Sequence, residues 1–454
     1  MTSIIEKAKE IYKKQFICPY CLGRMFSILA TNTTNLERGE SILLTLTMDA
    51  HSDYLSGDKQ TREKAIESLK LLGELANYSP AQQVLEKEGI KHQNLRENEE
   101  CYLCHGIFDN LDKYVELVKE KVKDIEFDTF LVGTSPEGEI INKEDQFKAE
   151  LNIFQAESFK SHFNREVGKL IAEELDKEPE FTYPDITLIH SVGYDSCSIR
   201  MLIRSVFIYG RYNKLIRDIP QTEWPCRACQ GAGCEECDYT GKTYQNSVEE
   251  CISPKFVEAA KAEDSKFHGA GREDIDVRML GTGRPFILEL QNPKIRTLDL
   301  ENLKKIVNAE NEGKVEIQNL RYSDKDEVIK IKEQAEDTEK TYKALVESPT
   351  ELNETEFKEK VEQLKEQLKG QTIDQRTPSR VAHRRADKIR KKKIYKVKGS
   401  YLEPTLYEFE IKTQGGTYIK ELITGDNERT TPSFSEIFDI PLECKQLDVL
   451  NINY

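Results

Sequence analysis

Residues 267–290 read FHGAGREDIDVRMLGTGRPFILEL. A glycine-rich, charged loop runs straight into an apolar strand pattern. Three acids, Glu273, Asp274 and Asp276, alternate with three arginines, Arg272, Arg278 and Arg284, among Gly269, Gly271, Gly281 and Gly283. Glycine lets a ligand approach the backbone, and neighbouring guanidinium groups keep carboxylates ionised. The stretch therefore reads either as a functional loop or as a surface weave of ion pairs. GTG at 281–283 is neither a Walker nor a Rossmann fingerprint, so no nucleotide cofactor is implied.

The pattern around this stretch is mixed. Before about residue 125 it is helical and charged, as in MTSIIEKAKEIYKK and TREKAIESLKLLGELA. From 126 to 210, strand-like runs (DTFLVG, DITLIHSV, CSIRMLIRSVFIYG) bracket the helical segment SFKSHFNREVGKLIAEELD. Further strand runs follow at RPFILEL, KVEIQNL and LYEFEIKTQ. Strands around a helix imply an α/β or α+β unit, and for the chain as a whole an α+β fold is expected. Phe357, Val361, Leu364 and Leu368 step by four, three and four, which predicts a helix packing one face on its own domain. We expect an accessory domain over 1–195 and a second domain over 196–454. The second carries a Cys-rich loop at 224–242 and a charged helical insertion at about 323–370.

Of the 11 cysteines, eight form four C-x-x-C pairs. Two intervening residues let both sulfurs reach one tetrahedral ion. Cys18 and Cys21 with Cys101 and Cys104 predict one zinc site. Cys226, Cys229, Cys234 and Cys237, in the compact spacing C-x2-C-x4-C-x2-C, predict a possible second. With every position filled by thiolate, either ion would be structural. Cys197, Cys251 and Cys444 have no such partner in sequence. The N-terminus lacks the apolar core of a signal peptide and no run is long enough to span a bilayer, so a cytoplasmic protein without a membrane partner is expected.

The net charge of −15 argues against nucleic acid only on average. Between Arg376 and Lys398 stand eleven Lys and Arg against the single acid Asp387. Such a stripe takes phosphates or is simply solvated. Its candidate RNA contacts are Arg380, Arg384, Arg385, Arg390, Lys391, Lys392 and Lys393.

GREDIDVRMLGTGRPF closely resembles the signature of the archaeal and eukaryotic pseudouridine synthases that modify tRNA uridines 54 and 55. Its first half is similar to the G-R-T-D loop of other pseudouridine synthases, whose aspartate is catalytic. FIYGRYNKLIRDIPQTEWPC (207–226), KTYKALV (340–346), QRTPSRVAHRRADKIRKKKIY (375–395) and GGTYIKELITGD (415–426) resemble further blocks of the family. The C-x-x-C pairs and the 126–210 unit look like its zinc-knuckle, THUMP-like accessory domain. The resemblance implies a catalytic domain with a mixed, mainly antiparallel sheet flanked by helices. It makes Asp274 the catalytic nucleophile or base, with Asp276 as runner-up and Arg272 holding the nucleotide. Tyr342 stacks on the target base and Tyr418 lines the uridine pocket. Lys420 falls where relatives carry the arginine that pairs with the aspartate, giving charge without a bidentate fork. The partner implied is tRNA, with no obligatory protein partner and no organic cofactor, because the reaction is an isomerisation. A non-catalytic, zinc-stabilised tRNA-binding protein is the main alternative. It would not need Asp274, Tyr342 and Tyr418 together. Another THUMP-bearing modifier, a methyltransferase or thiouridine synthase, would need a cofactor loop or PP-loop that we do not find.

Overall fold

The computed structural model describes residues 3–30, 32–154, 156–334, 338–383 and 386–453. The chain divides into two compact units, Met1–Arg204 and Ser205–Tyr454. Among the described residues no helix is long and apolar enough to cross a membrane.

The first unit begins with helices. Helix Ile4–Lys14 buries Ala8, Ile11 and Tyr12, and helix Asn35–Ser56 starts on a capping box between Thr34 and Glu37. Its sheet follows. Strands β1 (Thr129–Pro136), β2 (Glu178–Pro179), β3 (Ile186–Val192) and β4 (Cys197–Ile203) pair in the order β2-β1-β3-β4. β1 runs parallel to β2 and β3, and β4 antiparallel to β3. Helix Phe159–Leu175 turns Phe159, Phe163, Val167 and Ile171 into the core, the spacing of one helix face. The buried Arg24 pairs with Glu144, whose carboxylate also accepts from the Phe159 amide at 3.0 Å.

The expected boundary at 195/196 lies nearer 204/205. The run CSIRMLIRSVFIYG is two strands in different sheets, and β4 belongs to the first. The break offers no Gly, Pro, Asn or Asp, only Arg204 and Ser205, so the two strands read as one.

The second unit holds ten strands of one sheet among its described residues. They are β5 (Val206–Lys214), β6 (Asp264–Gly269), β7 (Arg278–Gln291), β8 (Val315–Ser323), β9 (Glu339–Glu347), β10 (Thr372–Arg376), β11 (Ile389–Glu403), β12 (Leu406–Gln414), β13 (Thr430–Thr431) and β14 (Glu443–Asn453). The order is β13-β10-β11-β12-β9-β14-β7-β5-β8, with β6 beside β7. The β14–β7 pair is parallel and the other assigned pairs are antiparallel.

The expected helical insertion at 323–370 is a helix, a strand and a helix: Lys325–Glu333, β9, and Glu354–Leu368. β9 lies mid-sheet between β12 and β14 and buries Lys340, Tyr342, Ala344 and Val346 on alternate positions. Its Lys and Glu content resembles a surface helix, but its period is two. The second helix buries Phe357, Val361, Leu364 and Leu368 as anticipated, with Phe357 stacked on Tyr407 at 4.7 Å.

GTG has a structural use. Gly281 has φ +59°, and a Cβ there would lie 1.9 Å from the Leu450 carbonyl oxygen on β14. The register of β7 against β5 shifts across this stretch, between the pairs Tyr212–Arg284 and Lys214–Met279.

Candidate active site

Asp274 stands in the loop between β6 and β7, held from beneath by buried charge. Arg284 on β7, 2% exposed, lies 2.7 Å from the carboxylate of Glu273, and its Nη1 donates to the Ala270 carbonyl at 2.9 Å. The Tyr212 hydroxyl donates to Glu273 at 2.8 Å, and Gln221 Nε2 donates to Tyr212 Oη and to the Gly271 carbonyl at 2.9 and 3.0 Å. Glu273 is thus committed to the scaffold. Removing one partner of such a buried pair typically costs about 3–5 kcal/mol.

Lys214 at the end of β5 is fully buried. Its Nζ donates to the carbonyls of Ile275, Ile219 and Asp274 at 2.9, 3.0 and 3.3 Å. Burial pushes its pKa down, and Glu273 partly opposes that. Arg217 donates to the Asp276 and Leu447 carbonyls at 2.7 and 2.8 Å, fixing the loop's far end to β14.

The Asp274 side chain remains partly open to solvent. Arg380 Nη1, from the short turn Ser379–Val381, lies 3.0 Å from its Oδ2, and Arg380 Nε donates to the buried Glu421 at 2.6 Å. Burial opposes the guanidinium charge, but Glu421 and Asp274 outweigh it, and the Arg380 pKa rises. Lys420, one residue before Glu421, donates to Asp276 at 2.6 Å. That contact outweighs burial and lowers the Asp276 pKa.

The anticipated Lys420–Asp274 pairing therefore does not form. The ammonium serves Asp276, and the guanidinium of Arg380 spans two carboxylates, which a lysine point charge does less well. Arg380, a candidate RNA contact in the basic stripe by sequence, is instead engaged by Asp274 and Glu421. Nothing in its local sequence marks it as the partner of a loop so far away in the chain.

Tyr342 on β9 is 8% exposed and lines the same cavity. Burial pushes its hydroxyl pKa up to about 12, with Arg284 opposing and Asp274 adding to the rise. Tyr418 caps the short helix Ile419–Thr424. The fully buried Gln375 clamps its backbone, accepting from Tyr418 N and donating to Tyr418 O, both at 2.9 Å. Arg272, Asp274, Tyr342, Arg380, Arg390, Tyr418 and Lys420 surround a cavity of about 340 Å³, with Val277, Leu447 and Val449 as apolar wall. Lys214, Gln221, Gln375 and Glu421 escaped the sequence reading. Lys214 and Gln375 carry one local signal, a polar side chain at an inward strand position, whereas Gln221 in a loop and Glu421 on a short helix carry none.

The basic stripe lies largely on β11, so its side chains alternate. Lys391 and Lys393 are exposed, whereas Lys392 is 4% exposed with Nζ donating to the Gly415 carbonyl at 2.8 Å. Lys392 is therefore corrected from a phosphate contact to a support for the turn before Tyr418. Arg390 faces the cavity and donates to Thr377 Oγ1 at 2.9 Å. Arg384 and Arg385 lie outside the described residues.

Both cysteine quartets gather. Within each, the four sulfurs lie within 4.8 Å of one another. Closest approaches are 3.6 Å for Cys18–Cys104 and 3.7 Å for Cys234–Cys237. Tetrahedral zinc with bonds near 2.3 Å needs sulfurs about 3.8 Å apart. The amides of Gly233, Cys234 and Gly241 point at sulfurs of the second quartet at 3.2–3.3 Å. Gly241 has φ +75°, and its missing Cβ would meet the Gly231 carbonyl at 2.5 Å, so the short four-residue gap closes only around glycine. Both quartets are arranged to hold a metal ion.

A cavity lined by Asp274 above the scaffold carboxylate Glu273, by Tyr342 and Tyr418 and by several cations fits the class of pseudouridine synthases. Sequence comparison supports that class over the whole chain. The family model "Pus10, C-terminal" matches residues 207–453, and "Pus10 THUMP domain, archaeal" matches 114–190. The tRNA pseudouridine synthase Pus10 of Methanocaldococcus jannaschii is 44% identical, covering 98% of this chain and 93% of that protein. Those of Methanopyrus kandleri and Pyrococcus furiosus are 39% and 35% identical, the matches covering 98% of both chains for the first, and 99% of this chain and 98% of the other for the second. The chain belongs to the Pus10 family of tRNA pseudouridine synthases and is an isomerase with a THUMP domain.

Replacing Arg380 by Gln is expected to slow pseudouridine formation roughly a hundredfold, because an aligning charge next to the carboxylate is lost. Lys420→Gln is expected to cost less than about tenfold, since it acts on Asp276. Single-turnover rates for the two variants check this, and the reverse order would contradict the pairing.

Proposed function

We propose that this enzyme converts uridines 54 and 55 of the TΨC loop of tRNA to pseudouridine, with Asp274 as the reacting carboxylate. The observation that carries the reading is the convergence of Asp274, Tyr342 and Tyr418, from three separate sequence blocks, on one cavity. The target nucleotide leaves its stack and enters that cavity. The isomerisation breaks the bond between C1′ and N1, turns the uracil, and forms a bond between C1′ and C5. A proton leaves C5 and one arrives at N1, so composition is unchanged and no group is transferred. Asp274 opens the sequence at the sugar, as nucleophile or as base. Its contact with Arg380, at 3.0 Å, keeps it aimed.

Tyr342 offers its ring to the uracil, and stacking of this kind is typically worth about 1–3 kcal/mol. Its hydroxyl stays protonated at neutral pH, since burial holds its pKa near 12. The Gln375 clamp holds the Tyr418 backbone at the wall of the same cavity. Arg272 and Arg390 face the flipped nucleotide's phosphates. Exposed Lys391 and Lys393 take phosphates of the arm, and the THUMP domain takes another part of the tRNA by shape. Zinc is the ion we assign to the cysteine quartets, where it would close each knuckle and supply no chemistry to the reaction. The non-catalytic alternative leaves the three-block convergence without a purpose.

Incubating the protein with an unmodified tRNA transcript, without added cofactor, is expected to yield pseudouridine at both 54 and 55, read by mapping. Product at only one position would narrow the assignment, and none at either would overturn it. Metal analysis of the same sample is expected to find about two zinc ions per chain. Lys391→Glu with Lys393→Glu is expected to weaken tRNA binding and flatten its salt dependence by about two units of slope. An unchanged slope would remove this face from the interface.

A further inference from the structure

A second cavity, of about 210 Å³, adjoins the first. The two share Arg272, Glu273, Asp274, Arg380 and Lys420, but only the second is walled by Pro220 and Trp224. Trp224 is the chain's sole tryptophan. Its ring is half-buried, lies 5.7 Å from the Arg272 guanidinium and meets Tyr244 edge-on, with ring centroids also 5.7 Å apart. The isomerisation described above uses neither this residue nor the nearby cysteine knuckle.

The knuckle nevertheless holds Trp224 in place. Thr243 N donates to the Trp224 carbonyl at 2.8 Å, Pro225 bridges to Lys242, and Cys226 N donates to the Gly241 carbonyl at 2.7 Å. Trp224 is thus the last rung of a two-stranded stem, and Cys226, Cys229, Cys234 and Cys237 close the stem's other end. An aromatic ring on a rigid stem, beside an exposed arginine, is the equipment that grips an unstacked base.

We propose that this second cavity is a subsite for the nucleotide adjoining the target uridine, with Trp224 as its stacking platform and the Cys226–Cys237 knuckle as the brace. The proposal rests on the reading of the first cavity as the uridine pocket. Once one nucleotide is flipped there, its neighbour loses a stacking partner, and its base is held next door. The base takes the place of Arg272 over the ring, which leaves that guanidinium for the phosphate linking the two nucleotides. The second quartet then belongs to substrate recognition and not only to stability.

Trp224 reports on itself, because no other tryptophan emits. A TΨC stem-loop RNA is titrated into the wild-type protein while filter retention follows binding independently. Trp224 emission is expected to quench in proportion to RNA bound. Trp224→Ala is expected to raise KM about tenfold, with a smaller effect on kcat, and Trp224→Phe to restore most of the loss. RNA that is retained and modified with no change in emission overturns the subsite while leaving the uridine pocket intact. So does a Trp224→Ala KM equal to wild type. RNA neither retained nor modified overturns the pocket and the subsite together. The quenching arm needs no variant, so a misfolded Trp224→Ala protein does not spare the proposal.

Discussion

The buried ammonium of Lys214, hydrogen-bonded to three carbonyls around the Asp274 loop, is the contact on which the site depends. A loop of acids, arginines and glycines has no inherent reason to hold one shape. Here it is fastened at Asp274 and Ile275 by Lys214, at Glu273 by Arg284 and Tyr212, and at Asp276 by Arg217. Desolvating these charges is costly, and it is offset only because each finds a partner. The result is a backbone tied from below, so that the reacting carboxylate above it needs little reorganisation to act.

The cations above the loop divide their work. Arg380 spans Asp274 and Glu421, while Lys420 answers Asp276. Glu421 and Lys420 are adjacent on one short helix, so that helix meets Asp274 through Arg380 and Asp276 directly. Tyr418 starts the same helix and is clamped by Gln375 on β10. Loop, turn and helix therefore locate one another through a few charge-assisted contacts. Strands β9 and β14 supply the tyrosine and the apolar wall behind them.

Much of this was legible in the sequence. Period-two runs marked β1, β3, β8 and β12, and the stripe at 357, 361, 364 and 368 marked its helix. The C-x-x-C spacing foretold both sulfur quartets, and the resemblance of 271–286 singled out Asp274 from its neighbours. What stayed hidden depends on distance along the chain or on the direction of a side chain. No local feature says that Arg380, and not Lys420, will reach Asp274. Lys392 looks like its neighbours in a row of cations, and only the alternation of β11 turns it inward. β9 is charged enough to pass for helix because its edges are solvated while its alternate face is buried. The passage from β4 to β5 is only Arg204 and Ser205, with no Gly, Pro, Asn or Asp, so the division between the two units left no turn signal in the sequence.

The central claim is that Asp274, paired with Arg380, carries out the isomerisation. Single-turnover conversion of an unmodified tRNA transcript by Asp274→Asn, with tRNA affinity measured alongside, tests it most directly. The variant keeps size and shape and removes only the charge. The account predicts near-wild-type affinity with no detectable pseudouridine. Pseudouridine formed at the wild-type rate would contradict it.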